Sequence, residues 1–186
     1  MKNRTGYVSN SSSSSFVVVP DEVAEEYERS REVRSLESYA SIRLAFELLE
    51  GDGIHDGKWL GLFPEAETRF GWQNVNYHGL KDKWNWIVLQ AFYAKGTYID
   101  EIDRYAKSIG VCRGIDWGAI DKAVSDGYAY IDHQSISAED TFGKVSRVGI
   151  DEFLTNEKCH VHNGNDQEEY EEGEEIDEDR EERYDP

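Results

Sequence analysis

The stretch LKDKWNWIVLQAFYAKGTYIDEIDRYAKSI, residues 80–109, decides the fold class. After Asp82 the apolar residues Trp84, Ile87, Val88, Ala91 and Phe92 recur at helical spacing. Gly96-Thr97 interrupts the pattern, Thr97 can cap the next helix, and Ile99, Ile102, Ala106 and Ile109 form a second stripe. Two helices with so short a joint should pack as a hairpin. A third helix, Asp116 to Val124, puts Trp117, Ile120 and Val124 on one side and stops at Asp126-Gly127.

Upstream, Asp21 can cap a charged helix through Val33. Ser35 can cap another, in which Leu36, Tyr39, Ala40, Leu44 and Leu48 recur before Gly51-Asp-Gly53 stops it. Strand signals surround these helices. Phe16-Val-Val-Val19 is rich in β-branched residues and suits a buried strand. Lys58–Phe63 and Thr68–Trp72 read as a hairpin-like pair around Pro64. Tyr128–His133 reads as a strand leaving the Asp126-Gly127 turn, and the segment from Cys159 as a final edge strand. The expectation is an α+β fold: one domain over residues 1–166, with a small antiparallel or mixed sheet packed against several helices and a Ser-rich leader at 1–20.

Composition agrees with a folded core. Of 186 residues, 38% are apolar, with five Trp, eleven Tyr and seven Phe to fill an interior. No run of about 18 apolar residues is present, so no membrane span is expected. Two cysteines, Cys112 and Cys159, are too few for a disulfide framework and fit a reducing compartment. At the start, Lys2 and Arg4 are followed by serines instead of an apolar stretch, so the leader does not read as a secretory signal.

Charge is the strongest functional signal. Twenty basic against 39 acidic residues give −19. From Glu168 to Pro186 twelve acidic residues face only Arg180 and Arg183, so this tail carries about −10 and the preceding residues about −9. Such a run repels itself and has almost nothing apolar to bury, which predicts disorder or a solvated helix. A chain of this charge is repelled by phosphate backbones, which argues against direct nucleic-acid binding, but it attracts basic proteins. The partner-binding candidates are Glu168, Glu169, Glu171, Glu172, Glu174, Glu175, Asp177, Glu178, Asp179, Glu181 and Glu182. The expected partner is a host or phage protein with a basic surface, with no membrane involved.

The opening phrase Gly6-Tyr-Val-Ser-Asn-Ser-Ser-Ser-Ser-Ser-Phe16 resembles the leader of a family of uncharacterised tailed-bacteriophage proteins, in which Phe usually stands at the position of Tyr7. Phe70-Gly71-Trp72, Asp126-Gly-Tyr-Ala-Tyr-Ile-Asp-His-Gln-Ser135, Phe153-Leu-Thr-Asn156 and Gly164-Asn165-Asp166 resemble the same family. The resemblance implies a phage origin and the cytoplasm of an infected bacterium; it implies no mechanism.

Two places carry titratable clusters. Asp132 and His133 end a strand, where a carboxylate can set the tautomer of a neighbouring imidazole. Adjacent strand residues point to opposite faces, however, so the pair needs partners from elsewhere and a structural turn is the simpler reading. Cys159-His160-Val161-His162 has metal-ligand character: His160 and His162 share a strand face, while Cys159 faces away and further ligands must come from afar. Neither cluster assigns a catalytic residue, metal or cofactor. Phosphate-loop, dinucleotide, nucleophile-elbow and zinc-protease motifs are absent. Trp72, Trp84, Trp86 and Trp117 lack interleaved Lys and Arg, so they read as core and not as a base-stacking platform. The sequence therefore favours a phage accessory protein that binds a host protein through its acidic surface, in host takeover, anti-defence or nucleic-acid mimicry. A virion or assembly component, or a small enzyme centred on Asp132 and His133, stands as the alternative.

Overall fold

The computed structural model describes residues 13–30, 54–55, 59–71, 74–109, 114–132 and 135–165. The helix expected over 35–48, Trp72, Cys112, His133 and the acidic tail lie outside the described residues. The fold is α+β, and a long central helix organises it.

The chain enters along β1, Ser13–Val18, and turns at Pro20 into α1, residues 21–30. Asp21 is the first helical residue and not the cap expected of it; the Pro20 carbonyl accepts from Ala24 N at 3.2 Å, the first rung of the helix, and from Val23 N at 3.1 Å. Short strands come next: β2, Ile54–His55; β3, Trp59–Leu60; β4, Arg69–Phe70; and β5, Val75–Tyr77. Then come α2, Leu80–Ala94; α3, Thr97–Ser108; α4, Trp117–Ser125; β6, Tyr130–Ile131; α5, Ala138–Val145; α6, Gly149–Thr155; and β7, His160–Asn165.

Helix α2 departs from the one-faced stripe expected of it. Every residue from Lys83 to Ala91 is buried, so the helix is covered on all sides. It packs against α3, α4, α5, α6 and β7. Three of its buried residues are polar, and each has a local reason to be there. Asn85 bridges to the 61–68 loop: its Oδ1 accepts from Phe63 N at 2.9 Å, and its Nδ2 donates to Phe63 O and Glu67 O. Gln90 donates to Ser135 O at 2.8 Å. Lys83 donates to two carbonyls of the turn between α6 and β7. Trp84 donates to Gly61 O at 2.9 Å, and Trp86 stacks edge-on to Phe70. These contacts make α2 a polar-stapled core helix, since a buried polar group left without a partner costs about 1–3 kcal/mol.

Helix α3 buries Ile102, Ala106 and Ile109 of its expected stripe, while Ile99 is half-buried; Thr97 does not cap it, since the N-cap is Gly96, without a side-chain bond, and Thr97 is the first helical residue. The joint with α2 is Lys95-Gly96, both at positive φ, 60° and 61°. Helix α4 begins where Asp116 Oδ1 accepts from Ala119 N at 2.9 Å, a side-chain N-cap.

The strands do not join into one sheet. β1, β7 and β5 form a three-stranded antiparallel sheet in the order β1-β7-β5, with β7 central. The expectation that the Cys159 segment is an edge strand is thus corrected, because the leader covers one side and Val75–Tyr77 the other. The hairpin expected of Lys58–Phe63 with Thr68–Trp72 is absent among the described residues. β3 pairs antiparallel with β2, while β4 pairs in parallel with β6. Between β3 and β4, Asn85 holds Phe63 and Glu67, and the connection runs as a loop over α2.

Strand β1 starts three residues before its apolar run. Ser15 is buried beside Asn163, its hydroxyl bonded to Asn163 Oδ1, while Ser15 N donates to Ser135 Oγ at 2.9 Å. The bond to Ser135 occupies the outer edge of β1 at Ser15. Among the described residues no helix is long and apolar enough to cross a membrane.

Candidate functional site

The three-stranded sheet has a core face and an open face, set by strand alternation. Val17, Cys159, Val161 and Asn163 point inward and are buried. Phe16, His160, His162 and Asn76 lie on the other face, where register pairs Phe16 with His162 and Asn76 with His162. His78, one residue beyond β5, reaches the same face and lies against His160 with ring centroids 4.6 Å apart. The sequence pattern points to His160 and His162 but not to His78. No spacing links residues 78 and 160; only the β5–β7 register brings them together.

Each of the three imidazoles is oriented through Nδ1. His78 Nδ1 lies 2.7 Å from Glu157 O, and His160 Nδ1 lies 3.2 Å from Lys158 O. His162 Nδ1 lies 2.7 Å from Asn76 Oδ1. Carbonyl oxygens only accept, so Nδ1 carries the proton in each ring and the neutral form keeps its lone pair on Nε2. His162 turns that nitrogen toward Gly164, whose missing Cβ makes the room; a Cβ there would collide with Nε2. Burial holds the His160 pKa below its ordinary value, helped by the charges of His78, His162 and Lys83 and opposed by the bond to Lys158 O. Among the described residues no three His, Cys, Asp or Glu side chains converge on a metal-binding point.

Behind the sheet sits a second unusual group. Lys83 is fully buried and donates from Nζ to Asn156 O at 3.0 Å and Cys159 O at 3.1 Å, with the Phe153 ring centroid at 5.5 Å. Burial pushes its pKa down to about 8, against the opposing pull of Cys159, Glu157, Asp82 and Glu152. Cys159 is equally buried, and burial pushes its thiol up to about 11. Enclosed in this way, the thiol has no access to solvent and is of the inert, structural kind. The ammonium instead closes the turn after α6, holding two carbonyls that lead into β7.

The Asp132 region is a turn. Asp132 N donates to Phe70 O at 2.8 Å and its carbonyl accepts from Ser135 N at 2.8 Å, ending the β4–β6 pair. His133 lies outside the described residues, and so do all eleven acidic tail candidates from Glu168 to Glu182. Nearby, a cleft of about 470 Å³ opens between α4 and the 61–68 loop, lined by Leu62, Pro64, Ile120, Ala123, Tyr128 and Ala129 among others. Its walls are apolar, and its charged lining residues, Lys122 and Asp126, are paired with each other.

No family model, curated protein or solved structure matches this chain.

Proposed function

We propose that this chain is an accessory protein of a tailed bacteriophage that acts in the cytoplasm of the infected bacterium by binding a host protein with a basic surface. The observation that carries the reading is the uncompensated negative charge, −19 over 186 residues. The cations do little to offset it. Among the described residues Lys81, Lys107, Lys122, Lys144, Arg147 and Lys158 each lie against a carboxylate: Glu65, Asp103, Asp126, Asp140, Asp21 and Glu22 respectively. Each such pair cancels one cation against one carboxylate, so the net charge of −19 is carried by the carboxylates left over. The carboxylates beyond this pairing supply a potential that steers a basic surface toward the chain and repels phosphate.

The reading does not require a catalytic centre. The buried titratable groups Lys83 and Cys159 are enclosed, and the Lys83 ammonium is occupied in structural bonds. The tail from Glu168 to Glu182 acts as the densest part of the binding surface, and the folded residues before it carry the rest.

Affinity capture from a lysate of a bacterial host tests this, with the tagged full chain beside a copy ending at Asp166, both eluted by rising salt. The expected result is one basic host protein that binds the full chain, binds the truncated copy more weakly, and elutes at moderate salt. Capture that is equal for the two copies and indifferent to salt would reject the acidic-surface reading.

A further inference from the structure

We propose that His78 and His160 form a two-imidazole site for a borderline divalent transition ion of the nickel, copper and zinc class, on the open face of the β1-β7-β5 sheet. Three observations carry it. The rings come from different segments of the chain and lie 4.6 Å apart, centroid to centroid, with a 35° tilt. Their Nδ1 atoms are anchored on successive carbonyls of one turn, Glu157 O and Lys158 O. With Nδ1 taken up by that turn in each ring, Nε2 is the nitrogen left to each for an ion. Finally, the face is open: His78 is exposed and His160 only partly covered.

A histidine that ligates a metal ordinarily donates its other ring N–H to a carbonyl or carboxylate, which fixes the tautomer and the ring plane. Here both rings are fixed in that way by backbone carbonyls, before any ion arrives. Imidazole nitrogen selects transition ions over Mg²⁺ and Ca²⁺, which prefer oxygen. Lys83 lies behind the strand, with its ammonium bonded to Asn156 O and Cys159 O. It thus braces the turn that orients both rings. His162 is excluded from the pair because its Nε2 faces Gly164. Two protein ligands leave the remaining positions to water or to a partner's side chain.

The test is titration of the full chain with Cu²⁺ alone, in an excess of Mg²⁺ that occupies the tail carboxylates, followed by electron paramagnetic resonance. The first equivalent is expected to show coupling to two imidazole nitrogens. His78→Gln and His160→Gln are each expected to lower affinity by about tenfold or more and leave one coupled nitrogen, while His162→Gln leaves affinity and spectrum unchanged. A first equivalent without nitrogen coupling would overturn the proposal. So would a two-nitrogen signal that survives His78→Gln or His160→Gln, or one that His162→Gln abolishes.

Discussion

Lys83 shows how one buried charge shapes both fold and pH response. Its ammonium donates to Asn156 O and Cys159 O, the two carbonyls that frame the turn into β7. Replacing it with Ala removes that donor from both and opens space beside Phe153, so Lys83→Ala is expected to destabilise by about 3 kcal/mol in urea unfolding. The pH dependence comes from the same enclosure. Unfolded, Lys83 keeps its proton up to 10.5, whereas folded it releases it near 8. Between those values the unfolded state binds more protons, so stability rises with pH. Cys159 works in the opposite sense: its thiol holds the proton to about 11 when folded against 9.0 when unfolded, so stability falls as pH climbs through that range. Stability is expected to rise between pH 8 and 9 and to flatten above 9. Urea unfolding across this window checks it, and Lys83→Met should remove the rise. Lys95 gives a simpler test: at φ 60° and ψ −162° it occupies a region suited to glycine. Lys95→Gly is expected to stabilise by about 1 kcal/mol in the same assay; an unchanged or lower midpoint would show that this backbone is not strained.

At the scale of elements, α2 separates this fold from an ordinary amphipathic arrangement. Ile87 and Leu89 project from nearly opposite sides of the helix, and both are fully buried. Ile87→Ala and Leu89→Ala are each expected to cost about 2–5 kcal/mol, while Arg104→Ala on the open face of α3 should shift stability by no more than about 0.5 kcal/mol. Thermal or urea unfolding of the three variants distinguishes a central helix from a surface one, for which one of the first two changes would be mild. The existence of α2, α3 and α4 is legible because their apolar periods are long and their boundaries carry Gly96-Thr97, Asp116 and Asp126-Gly127. Full burial of α2 is not, because Lys83 and Gln90 share one side and look like a solvent face, with Asn85 a polar break on the other, until their carbonyl partners are known. Helices α5 and α6 were not expected, although Ser137 with Glu139 and Asp140 after it, and Phe142 and Val145 at helical spacing, form a usable signal for α5. Strand pairing is the least legible level. β2, β3, β4 and β6 have two residues each, too few for alternation to declare a face or a register. The same limit hides His78, since the candidate histidine pair exists only through the β5–β7 register.

For the whole molecule, charge governs behaviour. The fold joins its layers through one continuous apolar cluster, from Val17 and Val23 through Trp84 and Trp86 to Phe153 and Val161. Around that cluster the acidic excess is a self-repulsion that added salt screens. The charge itself is fully legible in the sequence, and the expected binding mode rests on it more than on any pocket. The most direct measurement is calorimetric titration of the captured host protein with the full chain and with a version in which residues Glu168 to Glu182 carry Gln for Glu and Asn for Asp, at low and at moderate salt. The expected result is a loss of at least about tenfold in affinity at low salt on neutralisation, with the salt dependence markedly flattened. Equal affinities and equal salt slopes for the two versions would contradict an acidic binding surface centred on the tail.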